Sequence, residues 1–469
     1  MAGPNPEPGF RPRHSSRSCA PRLYLTAGAV AALLLSAPAV ALDDGSSPCP
    51  SSDAQAAAPV ETYQVHYQAT VATQAHPSFQ APYSGRNSMR PGAESATSVV
   101  MDLFGGVRLW PGAELYLQPE LAGGRGLSST LGVAAFPSGE VYRVGDPTPS
   151  VILARLFLRQ VIGLGGGRVR QEGGPNQLAG TRDRDALTIT VGKIAVTDFV
   201  DNNPVSNDPH TRFMSWGLWA SAAYDYPADT RGYTWGVAAD LSVDWWSVRS
   251  GLFLEPKYAN GMDLEWRIAK ARGLATEVEA RYKLDGRDGA VRVMGFVNDA
   301  HMGSYQLALD DPQAGLDIAA TRAFGRLKAG FAASANQDLG GGLSAFARVS
   351  WNDGANESWA FTEVDRSVAL GAVQSGWRWG RPDDEIGIGF VASGLSDLHR
   401  RYLAAGGYGF IIGDGALRYA PEMLSEIYYR FALTREVSIG FNYQPILNPA
   451  YNADRGPIHV FTGRAHIAF

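Results

Sequence analysis

At 469 residues with a formal net charge of −5, the chain could hold two or three ordinary domains or one large β-barrel, and its mild charge gives no electrostatic case for nucleic acid. Hydrophobic residues make up an ordinary 45%, but 54 Gly, 11 Trp and 19 Tyr are many, pointing to tight turns, close strand packing and rings at an interface. With 2 cysteines and no CxxC or Cys/His spacing, neither a disulfide framework nor a zinc site is available.

In chain order, the first feature is a leader. Arg11, Arg13, Arg17 and Arg22 precede LYLTAGAVAALLL (Leu23 to Leu35), and Ala39-Val40-Ala41 follows. A basic stretch, an apolar stretch and a small-residue cleavage site together predict a signal peptide over residues 1–41, with Leu42 the first mature residue. The apolar run falls short of the roughly 20 residues that a spanning helix needs. Residues 42–62, with SSPCPSSDAQAAAP among them, read as a low-complexity N-terminal tether in which Cys49 has no partner. No later segment is long and apolar enough to span a bilayer as a helix. An exported chain of this kind enters a membrane only as a closed barrel, because open sheet edges cannot face lipid.

From Tyr63 to Phe469 the pattern repeats every two residues in about sixteen segments, whose cores begin near Tyr63, Thr97, Ala113, Leu153, Ala186, Tyr233, Trp246, Leu274, Ala290, Gly325, Gly342, Arg366, Ile386, Met423, Glu436 and Ile458. Most run about 9 to 12 residues, enough for a tilted strand to cross hydrocarbon. In LATEVEARYKL, Leu274, Thr276, Val278, Ala280, Tyr282 and Leu284 share one face, opposite Ala275, Glu277, Glu279, Arg281 and Lys283. A helix would smear these charges around its surface. An antiparallel sandwich would also alternate, so the period alone does not choose between sandwich and barrel.

Connection lengths do choose. Short links such as Trp110-Pro111-Gly112, Asp285 to Gly289 and Thr434-Arg435 alternate with long ones such as Asp198 to Gly232, His301 to Phe324 and Gly394 to Glu422. That asymmetry belongs to outer-membrane barrels, with short periplasmic turns and long external loops. The link Leu164 to Asp185 breaks it, being long where a short one is due. An even strand number places both ends on the periplasmic side and sets Phe469 against the first strand, so that no edge stays open. Trp377 and Trp379, two apart, read as one face of an interfacial girdle. The reading is an all-β transmembrane antiparallel β-barrel occupying residues 63–469.

If the apolar positions face lipid, parity assigns the lumen. Asp102, Phe104 and Arg108 point inward from the second strand, Glu114, Tyr116, Gln118 and Glu120 from the third, and Arg155, Phe157 and Arg159 from the fourth. Arg249, Phe253, Glu255 and Lys257 follow from the seventh, and Leu424, Glu426, Tyr428 and Arg430 from the fourteenth. An anion channel would favour a basic ring and a cation channel an acidic one. Mixed donors and acceptors beside flat rings suit a neutral polyhydroxylated solute, although lumen charges can also simply hydrate the interior and pair across it. GxSxG, HExxH and GxxxxGK[ST] are absent and the histidines are dispersed, so catalysis has little support and no cofactor is expected. DFVDNNPVSNDPH (Asp198 to His210) collects carboxylates and amides of the kind that hold Ca²⁺ but lacks the DxDxDG pattern.

Several stretches carry a resemblance: RLWPGAELYLQPELAGGRGLSSTLGVAAFPSGEVYRVGDPTP (Arg108 to Pro149), ARLFLRQ (Ala154 to Gln160), and GK at Gly192 through DFVDNNPVSNDPHTRFMSWGLW. DYPADTRGYTWG (Asp225 to Gly236), WNDGANESW (Trp351 to Trp359) and NPAYNADRGPIHVF (Asn448 to Phe461) add to it. The chain resembles the carbohydrate-selective porins of the OprB type over nearly all of its length after Gln64. The resemblance implies a sixteen-stranded barrel of the bacterial outer membrane, passing mono- or oligosaccharides by passive diffusion, with external loops folding inward to narrow the channel. It carries Arg108, Glu114, Gln118, Glu120, Arg155, Arg159 and Gln160 over as pore-constriction residues; parity adds Tyr116 and Phe157, and points Gln160 at lipid unless the strand ends or bulges there. Two positions depart from the family pattern: Tyr67 in VHYQAT stands where a glycine is usual, and Gln118 where Asn is common. Expected partners are small carbohydrates, outer-membrane lipids and the barrel-assembly machinery acting on the strand that ends in Phe469; monomer and homotrimer both stay open. A general or anion-preferring porin is the alternative, and a barrel-type enzyme a more distant one.

Overall fold

A computed structural model describes residues 60–141, 147–311 and 315–469. The signal peptide, and the tether through residue 59, lie outside them. Sixteen strands occupy the described residues: β1 Tyr63–His76, β2 Glu94–Trp110, β3 Ala113–Gly124, β4 Ser150–Gln171, β5 Gly180–Ile194, β6 Thr234–Val243, β7 Trp246–Phe253 and β8 Arg272–Leu284. They continue as β9 Arg287–Ala300, β10 Arg326–Gly340, β11 Leu343–Asn352, β12 Arg366–Ser375, β13 Glu385–Gly394, β14 Glu422–Ala432, β15 Val437–Leu447 and β16 Ile458–Ala468. Each pairs antiparallel with its chain neighbours, and β16 pairs with β1 to close the barrel.

Closure explains the apolar chain end. Tyr67 N–H donates to the Phe469 carbonyl at 2.7 Å, Phe469 N–H returns a bond to Tyr67 at 2.9 Å, and the two rings stand 5.4 Å apart. The last residue thus satisfies a backbone edge that would otherwise lie open to lipid.

The two-residue period becomes two environments. On β8, Leu274, Thr276 and Val278 are exposed on the outer wall while Glu277 and Glu279 are buried inside. Phe441 and Ile388, 62% and 60% exposed, continue the apolar wall on β15 and β13. No helix among the described residues is long and apolar enough to cross a membrane; the strands make the crossing.

Three sequence expectations change. The link Leu164 to Asp185 is not a loop. β4 and β5 continue past the barrel wall as a two-stranded arm, with register shifts at Gly163/Gly165 and Gly165/Arg168 before pairing resumes at Arg168↔Asp183. Gly165, Gly166 and Gly167, at φ of 94°, 77° and 95°, take up the extra residues there, in a conformation that side-chain-bearing residues rarely adopt. The true connection is Glu172 to Ala179, so the glycine run hid a ladder. Trp377 and Trp379 are exposed, but they lie in a single helical turn, Gly376–Trp379, between β12 and β13 and not along one face of a strand. Their indole N–H groups donate to the Gly341 carbonyl at 2.6 Å and to Tyr429 Oη at 3.0 Å. Lys257 lies beyond the end of β7, exposed and 3.8 Å from Asp263, and does not face the lumen.

Placing a charge on the outer wall tests the assignment of faces. Val278→Arg is expected to lower barrel stability by about 2–4 kcal/mol, measured by denaturant titration of the protein folded in lipid vesicles.

Candidate functional site

The long connections fold into the barrel and fill it unevenly. The β5–β6 connection, Ala195 to Tyr233, is buried along most of its length. Its Trp216 ring stacks on Phe361 at 4.6 Å and 10°, and Tyr226 packs on the same Phe361 ring at 4.4 Å. A second aromatic knot joins Tyr305 to His399 at 4.3 Å and to Tyr402 at 5.3 Å.

Charges on the far wall hold these loops. Glu426 on β14 accepts the backbone N–H groups of Met214 and Ser215 at 2.8 and 2.9 Å. Glu422 accepts those of Ala134, Ala135 and Ala450 at 2.9, 3.0 and 2.8 Å. On β11, Arg348 pairs with Asp201 and donates to the Trp219 carbonyl at 2.9 Å. Arg464 on β16 donates to the Pro209 and Thr211 carbonyls at 2.8 and 2.6 Å. Buried charges of this kind are tolerable only when hydrogen-bonded, and here the partners are loop atoms.

Space remains along β1 to β4. A cavity of about 570 Å³ lies against Gln68 of β1, Asp102 and Phe104 of β2, Gln118 and Glu120 of β3, and Arg155 of β4. The inward loop faces them with Asp198, His210, Trp216, Tyr226 and Tyr233, and the β3–β4 connection adds Phe136 and Glu140. Pro175 and Asn176, from the connection between β4 and β5, complete the lining.

One polar network runs from the wall to the loop. Asp102 accepts Gln68 Nε2 at 2.8 Å and Gln118 Nε2 at 2.7 Å. Gln118 Oε1 accepts Arg155 at 2.7 Å, and Arg155 makes a two-pronged pair with Asp198, both bonds 2.7 Å. The Arg155 guanidinium also lies 5.2 Å from the centre of the Tyr233 ring, whose hydroxyl donates to Glu120 at 2.5 Å. Positive and negative groups interleave, so the cavity offers donors, acceptors and ring faces with no ring of one sign.

The residues singled out in the sequence separate into three groups. Gln118, Glu120 and Arg155 line the cavity. Arg108, Glu114, Tyr116, Phe157 and Arg159 point inward but form a layer beside it: Arg108 and Arg159 lie 3.2 and 3.9 Å from Glu114, Tyr116 donates to Glu114 at 2.7 Å and stacks on Phe157 at 5.0 Å. Gln160 is on the outer wall, where its Oε1 accepts the indole N–H of exposed Trp110 at 2.9 Å, so it does not line the pore. Parity alone points it outward, and the strand neither ends nor bulges at Gln160.

Asp198, Phe136 and Trp216 are site residues that strand periodicity could not reveal, since a two-residue period says nothing about a folded loop; Tyr233 sits one residue before β6, where a strand start was expected. The carboxylates of Asp198 to His210 are engaged within the protein: Asp198 with Arg155, Asp201 with Arg348, and Asp208 with Thr211 and the His210 backbone. No group of three or more His, Cys, Asp or Glu among the described residues is arranged to hold a metal ion.

A closed antiparallel barrel with an apolar outer wall, inward-folded loops and a polar cavity beside one wall is the architecture of an outer-membrane channel protein. A model of the carbohydrate-selective porin, OprB family, matches residues 86–469, and the chain belongs to that family. It is accordingly a carbohydrate-selective porin of the bacterial outer membrane. Among solved structures, the high-pH structure of Pseudomonas putida OprB aligns with a TM-score of 0.66 at 18% identity, over 87% of this chain and 94% of that one. The outer membrane channel DcaP of Acinetobacter baumannii aligns at 0.45 and 11% identity, over 89% and 99%, and OccAB1 of the same organism at 0.45 and 10%, over 87% and 97%. No curated protein matches.

His210 locks the inward loop to the β3–β4 connection. Its Nδ1 lies 2.8 Å from Glu140 Oε1, with Asp208 and Asp102 near and His466 stacked at 6.0 Å. Burial works against the charged ring, but Glu140 and then the two aspartates outweigh it and raise its pKa from 6.5 to about 10. A raised pKa stabilises the folded-in loop fully below the ordinary value of 6.5 and loses that contribution as pH climbs through about 10. Amide hydrogen-exchange protection of residues 198–232, corrected for intrinsic rates, is expected to be greatest near pH 6, to decline progressively above about pH 6.5 and to level off above about pH 10. His210→Gln is expected to show the weaker protection already at pH 7.

Proposed function

We propose that sugars cross this porin through the cavity between β2–β4 and the inward loop, with Arg155, Gln118 and Glu120 as the wall residues that meet them and Asp198 and Tyr233 as their loop partners. The observation that carries this reading is the Arg155–Asp198 pair, which joins wall to loop at two 2.7 Å bonds and lines the cavity. A hydroxyl passing there exchanges one hydrogen bond for another at little net cost. The rings of Phe136 and Trp216 offer apolar faces to the C–H side of a sugar.

Passage follows the gradient and needs no cofactor, energy source or catalytic group. Binding must stay weak for the solute to leave again; millimolar affinity corresponds to only about 4 kcal/mol. The interleaved charges favour this reading over an anion-preferring pore. Export begins with a signal peptide removed after Ala41, the segment 42–62 serves as a tether, and the assembly machinery takes the strand ending in Phe469. N-terminal sequencing of the mature protein is expected to start at Leu42.

In planar bilayers, added sugar is expected to reduce the ion current of the parent channel. Arg155→Ala should raise the half-blocking sugar concentration about tenfold or more, since a hydrogen bond to a charged group contributes about 1.5–3 kcal/mol. Ion conductance should change much less. Equal effects on block and conductance would remove Arg155 from the sugar path, and no block by any sugar of a panel would leave a general diffusion pore.

A further inference from the structure

The layer of Arg108, Glu114, Tyr116 and Arg159 has a use other than binding solute. Its free donors and acceptors go to the backbone of the β4–β5 connection, Glu172 to Ala179. Arg159 donates to the Asn176 carbonyl at 2.9 Å, Arg108 to the Ala179 carbonyl at 3.3 Å, and Tyr116 Oη accepts the Leu178 N–H at 3.0 Å. The first strand adds Gln64 Nε2 to the Gly174 carbonyl at 2.9 Å, and Glu61 just before it accepts the Ala179 N–H at 2.7 Å. Leu178 is fully buried beneath these contacts. A tip held at five separate points is a placed element, and what it places in the cavity lining is Pro175 and Asn176.

We infer that Asn176 is a specificity-determining residue on the periplasmic side of the sugar path, so that the channel is narrowed by a periplasmic arm as well as by its inward loop. Asn176 Nδ2 reaches Gln118 Oε1 at 3.3 Å, the oxygen that also accepts Arg155. Its own Oδ1 is buried without a hydrogen-bond partner, so the amide gains a partner by turning that oxygen towards the cavity it borders. An amide held by one long bond and left with an unsatisfied oxygen re-pairs readily with a hydroxyl that displaces it. A sugar moving past Arg155 therefore meets Gln118 and Asn176 together as it leaves towards the periplasm. Cradle residues act through the arm: Arg108, Glu114, Tyr116 and Arg159 position it, while Gln118 and Asn176 touch the solute.

This inference rests on the sugar path proposed above, and one experiment separates the two. Asn176 has φ 59°, which glycine adopts without strain, so Asn176→Gly removes the amide and keeps the backbone carbonyl that Arg159 grips. In planar bilayers, with heat-modifiable gel migration confirming a folded barrel, N176G is expected to raise the half-blocking glucose concentration about three- to tenfold, as loss of a neutral hydrogen bond implies. Single-channel ion conductance should also rise. If N176G blocks like the parent while R155A shifts, the arm is only a structural turn and the inference is overturned with the path intact. If neither variant shifts, the path itself is wrong and the inference falls with it.

Discussion

Backbone amides in hydrocarbon have no water to turn to, so each must find its partner within the sheet. Every other feature of this chain follows from that constraint. It requires sixteen strands to close on themselves, it brings Phe469 against Tyr67, and it forces side chains to alternate between acyl chains and an enclosed interior. Once closed, the barrel holds more polar interior than a sugar needs. How that interior is partitioned then decides what passes.

The partition is lopsided. On the side of β8 to β16, wall charges face loop backbone: Glu426 and Glu422 grip amides, Arg348 and Arg464 grip carbonyls, and the aromatic packing of Trp216, Tyr226 and Phe361 fills what lies between. On the side of β2 to β4, Asp102, Gln118 and Arg155 are linked to one another and to Asp198, and they border open space. Similar residue types thus serve as anchors on one wall and as lining on the other. The difference lies in which loop atoms reach them.

That difference sets what could be read from the sequence. Strand positions and inward parity were legible, because a period of two across roughly ten residues is a strong local signal: predicted and observed starts coincide at Tyr63, Ala113, Trp246, Arg366 and Ile458. The β4–β5 arm was not, since three successive glycines carry no alternation and look like a loop. Parity also could not tell Glu120, which lines the cavity, from Glu114, which pairs with Arg108 and accepts from Tyr116 beside it; both are inward acids on one strand, six residues apart in the chain. Loop residues such as Asp198 and Trp216 acquire their places only when a long connection folds back, and no periodicity encodes that.

The grip of Glu422 and Glu426 on peptide N–H groups has an evolutionary side. Any residue except proline supplies such a hydrogen, so these moorings ask almost nothing of the side chains above them. The inward segments can therefore be re-tailored, ring for hydroxyl or acid for amide, while their course through the barrel persists. A scaffold moored in this way can change its nutrient without redesigning its wall.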